Sequence, residues 1–185
     1  KDIIDMMMNA KINKIILFSF FISILVFLNN LIANAHSEEL NPEDIVKKYY
    51  TADINGARLS SNTYNIVKPL ILWENEPGWD IIFITRNAVI TGKKVIHNNE
   101  IHIEARYHII GIIAGEQILD LEFFEVINFI LVKKDNTWKI KQPIFYPHVS
   151  PMSAKKHFEK LNQFNTNKDN STLNNYKKII KCLKD

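Results

Sequence analysis

The chain has 185 residues, of which 46% are hydrophobic and 23% charged, with five Gly, six Pro and a single Cys. This composition excludes an intrinsically disordered chain, a collagen and a disulfide scaffold. The net charge is only +3, and the basic residues are mostly scattered Lys. Nucleic-acid binders gather Lys and Arg on one face, so no nucleic-acid partner is expected.

The first segment has the pattern of an export signal. Lys11 and Lys14 precede an apolar run at residues 15–28, and Ala33-Asn34-Ala35 follows as a cleavage site. Residues 1–35 are therefore predicted to be a signal peptide with a few upstream residues. A periplasmic or secreted protein without membrane contact after cleavage follows from this interpretation. The alternative is an uncleaved inner-membrane anchor, because residues 15–32 are just long enough to cross a bilayer.

Helical patterns open the region after the signal. Asn41 is a favourable N-cap and Pro42 suits the first helical position. Apolar residues then recur at helical spacing, and Asn55-Gly56 ends the pattern. Residues 60–63 are predicted to cap a second, shorter helical piece.

Beyond residue 70 the hydrophobic period approaches two, which is typical of strands. Gly111 and Gly115 are expected to bracket a bend, and Asp135-Asn136 is predicted to be a hairpin turn. The predicted strands are residues 79–84, 89–96, 101–110, 119–133 and 137–142. Strands that follow strands, with helices at both ends, indicate an α+β fold rather than a parallel βαβ sheet.

The C-terminal part is predicted to be helical and divided by a linker. Ser150 and Pro151 begin a helix that extends to residue 161. Residues 162–172 are rich in Asn and are predicted to be a linker. Residues 173–185 form a short amphipathic tail helix that is expected to be dispensable for folding, because an isolated helix of this length is marginal.

Several segments together resemble a known superfamily. They are Tyr49-Tyr50, Glu76-Pro77-Gly78-Trp79-Asp80, Tyr107 with Gly111, and Lys133-Lys134-Asp135-Asn136-Thr137-Trp138-Lys139-Ile140. The pattern resembles the nuclear transport factor 2-like superfamily over about residues 42–161, and the Glu-Pro-Gly-Trp-Asp segment is similar to uncharacterised secreted bacterial members. The resemblance implies a cone-shaped α+β domain, here residues 36–161. N-terminal helices would pack on a curved antiparallel sheet, with a C-terminal helix following.

The resemblance implies a fold rather than an activity, because this fold hosts isomerases, dehydratases, binding modules and secretion scaffolds. The preferred interpretation is an exported, non-enzymatic domain that binds a small ligand or a protein partner and needs no cofactor. A homodimer through the sheet is one hypothesis for the partner. One alternative is a cofactor-free isomerase or dehydratase with an acidic base in the cone, Asp80 or Glu122. The other is a membrane-anchored scaffold similar to the periplasmic component of type IV secretion.

The candidate binding residues are aromatic and acidic. Aromatic rings bury large areas, and a shielded carboxylate has a raised pKa, so the two types together suit a ligand site. The residues are Trp73, Glu76, Trp79, Asp80 and Tyr107. The competing interpretation of residues 73–80 is a rigid turn whose Trp side chains pack on the core. No catalytic residue is assigned.

His102, Glu104, Arg106 and His108 alternate along one predicted strand face. Two His and a carboxylate are plausible metal ligands, but side chains at this spacing lie roughly 7 Å apart at each step. A solvated outer face with cross-strand ion pairs is therefore expected, and no metal site is assigned.

Overall fold

The first helix begins where its capping residue predicts. The computed structural model describes residues 41–115, 117–164 and 170–183, so the predicted signal peptide and anchor lie outside the described residues. Helix α1 spans Pro42–Ile54, and the Asn41 side chain accepts a hydrogen bond from the Asp44 N–H at 3.0 Å. Gly56 follows the helix with φ 85°, a conformation in which Gly carries no Cβ penalty. A short helix α2 (Ser61–Tyr64) and a 3₁₀ turn (Lys68–Leu70) complete the N-terminal part.

The sheet confirms the α+β prediction but is mixed, not antiparallel. Its strands are β1 (Ile81–His97), β2 (Glu100–Ala114), β3 (Gln117–Lys134), β4 (Thr137–Gln142) and β5 (His148–Val149). Their order is β4-β3-β2-β1-β5, and the sheet curls strongly into a half-barrel. The antiparallel prediction was wrong because β5 lies parallel to β1. A two-residue strand is too short to show any periodicity, so the sequence could not reveal it.

Strand β1 joins two segments that the sequence predicted to be separate. Its pairing with β2 contains four register shifts, including those at Ile84/Thr85 and Ile90/Gly92. Each shift disturbs the alternation of side chains, which is why the pattern appeared to break. Gly111 likewise lies inside β2, beside a register shift, and not in the predicted bend.

The hairpin between β3 and β4 confirms the predicted turn. Asp135 and Asn136 have φ values of 49° and 60°. Two consecutive residues with positive φ are typical of a type I′ turn, which matches the twist of the flanking strands. Beyond the turn Ile140 is fully buried, whereas Trp138 is half-buried at the margin of the core.

Two hydrophobic cores lie on opposite faces of β1. The first core is formed by α1 and the inner face of the sheet, and its largest side chains are Tyr49, Tyr107, Phe129, Ile103, Ile109 and Leu131. Phe83 packs against this core, whereas Ile82 and Ile84 belong to the second core. Since successive side chains of a strand point to opposite faces, the curled sheet has a core on each side at this end.

The second core contains two C-terminal helices, one more than predicted for the domain. Helix α3 spans Pro151–Phe164 and helix α4 spans Asn170–Cys182, so both extend into the predicted linker. Ile179 and Leu183 are buried with Phe158 and Val149. No helix within the described ranges is long and apolar enough to cross a membrane.

Candidate functional site

A buried arginine organises the segment that the sequence singled out. Arg58 is only 3% exposed. Its Nε and Nη2 donate to Glu76 Oε1 at 2.8 and 2.6 Å, and Nη2 also donates to the Phe145 carbonyl at 2.5 Å. Nη1 donates to Asp53 Oδ2 at 3.4 Å. The guanidinium therefore joins α1, the 73–80 segment and the loop before β5.

Aromatic rings surround the same guanidinium. The Arg58 Cζ atom lies 5.3 Å from the Phe145 ring, 5.4 Å from Trp79 and 5.9 Å from Tyr49. Trp79 Nε1 also donates to Glu76 Oε1. These cation–π contacts and the shared carboxylate hold the Trp79 indole in one orientation.

The charges of this cluster are strongly coupled. Desolvation lowers the pKa of Arg58, but Asp53, Tyr49 and Glu76 outweigh it and raise that pKa above its ordinary value. Burial raises the pKa of Asp53, against the opposing effect of Arg58. Arg58 is therefore a permanent cation, and its removal would leave two carboxylates without a buried counter-charge.

Asp53 extends the cluster to β5 and β3. Its Oδ2 accepts the backbone N–H of His148 at 3.1 Å. The His148 ring lies 2.8 Å from Glu125 Oε2 through Nε2 and 2.8 Å from the Tyr146 carbonyl through Nδ1. It also stacks on Phe83 at 4.9 Å. The short parallel strand β5 is thus fixed by side-chain contacts as well as by its sheet pairing.

A cleft of about 460 Å³ opens beside the cluster. Glu76 and Trp79 line it from the 73–80 segment and Arg58 from the loop after α1, whereas Tyr64 and His157 line it from α2 and α3. Lys68, Glu74 and Asn75 also line it, and all three are exposed. Within the described part of the chain, these three side chains form no hydrogen bond or ion pair. The cleft therefore combines a rigid wall with free polar groups.

The structure brings two of the five predicted binding residues together at the cleft. Glu76 and Trp79 line the cleft together. Trp73 instead packs against the first core, with its ring 6.2 Å from Tyr49, and Tyr107 is fully buried in that core. The Asp80 side chain is exposed, and its carbonyl accepts the N–H of Gly115 at 2.9 Å.

The concave core contains polar atoms without partners. The hydroxyls of Tyr49 and Tyr107 and Asp53 Oδ1 are buried and form no hydrogen bond with any described residue. Burial, the largest cause, raises the pKa of both tyrosines, so they stay protonated. The aromatic side chains of Phe129 and Phe145 fill the space around Tyr49.

The strand row of His and charged residues lies on the outer face of the sheet. His102 contacts Glu100 at 3.0 Å and His108 contacts Glu122 at 2.6 Å. Over the described ranges, no group of three His, Cys, Asp or Glu side chains could hold a metal ion. Glu122, one of the two bases considered for an isomerase, lies on this outer face, and Asp80, the other, is exposed.

Arg58 is the central residue of this cluster, and the sequence patterns did not indicate it. The chain contains only three Arg, and Arg58 stands between Ala57 and Leu59 just after a helix. Arg suits buried ion pairs better than Lys, because its planar guanidinium bonds several acceptors at once. An Arg between Ala and Leu, in a chain whose basic residues are mostly Lys, is therefore a signal that the sequence offers.

The two acids of the 73–80 segment should respond differently to neutralisation. Glu76→Gln removes the charge that faces buried Arg58, and we expect a loss of about 1–3 kcal/mol in unfolding free energy. Asp80→Asn alters an exposed side chain and should change stability by less than about 0.5 kcal/mol. Urea unfolding of both variants measures the contrast. Equal losses would show that the Arg58–Glu76 pair does not hold the segment.

His157 should make stability depend on pH. Desolvation, followed by the charge of Lys160, lowers its pKa below the ordinary 6.5. In the unfolded chain His157 keeps its ordinary pKa. Between that value and the lowered pKa of the folded chain, the unfolded chain binds more protons than the folded one, so stability rises with pH through this window. We expect melting temperatures to fall as the pH drops below about 6.5, and to fall less in His157→Gln. Identical pH profiles for the two proteins would contradict this expectation.

Comparisons with known proteins add no assignment. A scan against protein-family models, a search of curated proteins and a search of solved structures each gave no match.

Proposed function

We propose that this chain is an exported, non-enzymatic binding domain of the nuclear transport factor 2-like superfamily. In this proposal a small polar ligand occupies the cleft beside Arg58. The superfamily assignment is supported by a strongly curled sheet with α1 packed against its concave side. Export is supported by the basic and apolar pattern of residues 11–28.

The cleft is the observation that carries the ligand proposal. Its wall is held by a buried ion pair, a shared carboxylate and aromatic contacts around Arg58. A wall held in this way loses little conformational freedom when a ligand binds, so less of the binding energy is lost to ordering. The free groups Lys68, Glu74 and Asn75 remain available for hydrogen bonds.

The chemistry of those groups favours a ligand that carries both a positive and a negative charge, or one that carries several amide groups. Lys68 is a cation, Glu74 is a carboxylate, and Asn75 both donates and accepts. His157 is neutral at pH 7, since its pKa is lowered, so it also donates and accepts. A free amino acid or a short peptide matches this set better than an apolar molecule or a multiply charged anion.

Calorimetric titration of the full chain with free amino acids and dipeptides tests the proposal. Lys68→Ala and Asn75→Ala should each weaken binding about tenfold, the effect of losing a hydrogen bond to a ligand. Lys141→Ala is the matched control, because Lys141 is exposed on β4 and does not line the cleft. Binding that these variants leave unchanged, or no binding at all, would contradict the proposal.

One observation favours the enzymatic alternative. Buried Asp53 has a raised pKa and stands near two protonated tyrosines whose hydroxyls lack partners among the described residues. An acid and phenolic donors are the groups that an isomerase of this superfamily would use. However, Asp53 is already bonded to Arg58 and to the His148 N–H, and aromatic rings fill the surrounding core. Binding at the open cleft therefore remains the better-supported function.

A further inference from the structure

We propose that the outer edge of β3, at residues 117–129, binds an extended basic strand of a partner protein and adds it to the sheet. Strand β3 pairs with β2 along almost its whole length, but β4 covers only residues 130–134 on the other side. In the ranges 41–115, 117–164 and 170–183, no other segment pairs with this edge. Exposed edges of this kind are the usual sites of strand addition.

The register shows which backbone groups are free. The Lys133 N–H donates to the Asn99 carbonyl, so residues 99 and 133 form a hydrogen-bonded pair. Such pairs recur at every second position of an antiparallel ladder. The backbone N–H and C=O groups of Phe123, Glu125 and Ile127 therefore point toward β2. The same groups of Phe124, Val126 and Asn128 point away from it, outward. These outward groups are the ones that a partner strand would bond.

Strand β1, at the opposite edge of the sheet, is protected against pairing with another chain, whereas the β3 edge is not. Among the described residues, no strand pairs with the outer side of β1 beyond Ile84 either. However, the ladder of β1 with β2 has four register shifts, and β1 carries Arg86, Lys93 and Lys94. Bulges and basic residues are the devices by which proteins block edge pairing. In β3, residues 123–132 pair with β2 without a shift, and residues 117–129 contain no Lys or Arg.

The side chains of the edge define the chemistry of the partner. Phe124 and Val126 are 60% and 55% exposed, and the Phe124 ring contacts Arg106 at 5.1 Å and stacks on His108 at 4.8 Å. A partner strand with alternating apolar residues would cover them.

Charge selects a basic partner over a second copy. The edge carries Asp120, Glu122 and Glu125, and a second copy paired along it would add three more acids to the same edge. Glu122 already contacts His108 and Glu125 contacts His148, so Asp120 is the acid left for a partner Lys or Arg. Lys178 and Lys181 line a cleft with Asp120, but within the described residues they form no ion pair with it.

Amide exchange with a defined probe tests the proposal. The probe is a blocked synthetic peptide of alternating Lys and Val, added to the full chain. We expect the amides of Phe124, Val126 and Asn128 to exchange rapidly in the free protein and about tenfold more slowly with the peptide. A peptide with Glu in place of Lys, and one with Pro at every third position, should give no such protection.

Two substitutions at one position provide a matched pair. Val126→Pro removes an outward donor without removing a bond to β2, and it should weaken peptide binding about tenfold. Val126→Thr keeps the donor and should bind almost as well as the native chain.

No binding at millimolar peptide, or equal binding of the Pro peptide, would overturn the proposal. Protected outward amides in the free protein, together with a dimer in sedimentation, would also overturn it by showing that a second copy occupies the edge. If Val126→Pro does not fold, amide exchange of the native chain with and without the peptide tests the proposal.

Discussion

Replacing Arg58 with Met should destabilise the domain by about 3–5 kcal/mol or prevent it from folding. Met fills much of the same volume, but it leaves Asp53 and Glu76 without their buried counter-charge. Trp79 also loses the cation against its ring. Urea unfolding followed by tryptophan fluorescence measures the loss. Arg86→Met is the control, because Arg86 is exposed and its distance to the Glu122 carboxylate is 3.9 Å.

Arg58→Lys should restore only part of the lost stability. A Lys ammonium keeps the charge, but it cannot donate at once to Glu76, Asp53 and the Phe145 carbonyl in the geometry of a guanidinium. A Met variant as stable as the native chain would show that the cluster does not organise this part of the fold.

The tail helix should prove essential, although the sequence predicted that it was dispensable. Ile179 is 1% exposed in the second core, and we expect Ile179→Ala to lower the unfolding free energy by about 2–5 kcal/mol. Removal of residues 165–185 would expose Phe158 and Val149 and should have a larger effect. Thermal unfolding of both proteins measures this, with Lys177→Ala as an exposed control. An unchanged transition after truncation would show that α4 does not complete the second core.

Local signals explain what the sequence predicted well. Asn41 and Pro42 mark the start of α1 because their preferences depend on adjacent backbone groups. The Asp135-Asn136 turn was predictable for the same reason, since these residue types tolerate positive φ. Strand β5 and the merging of β1 were not predictable, because both depend on pairing with distant strands.

The candidate site likewise combines residues that the local sequence indicated with residues that depend on distant contacts. Glu76 and Trp79 stood out as a dense polar and aromatic segment, and the structure brings them together in the cleft. Their partner Arg58 did not stand out, because Glu76 is 18 residues away along the chain and the Phe145 carbonyl is 87 residues away. Trp73 and Tyr107 have the same residue types as a ligand site, but Tyr107 is fully buried in the first core and Trp73 packs, partly buried, against that core. Composition alone does not distinguish a core aromatic from a binding one.

We expect a ligand to bind in the open cleft and not in the concave core. An NMR titration of the full chain with amino acids and dipeptides, followed through backbone amides and the Trp indoles, tests it most directly. We expect chemical-shift changes that cluster at Lys68, Glu74, Asn75 and the Trp79 indole, while the signals of Tyr49 and Tyr107 stay unchanged. Shifts centred on Asp53 and Tyr107, with the cleft residues unmoved, would contradict it and favour an enzyme with an internal site.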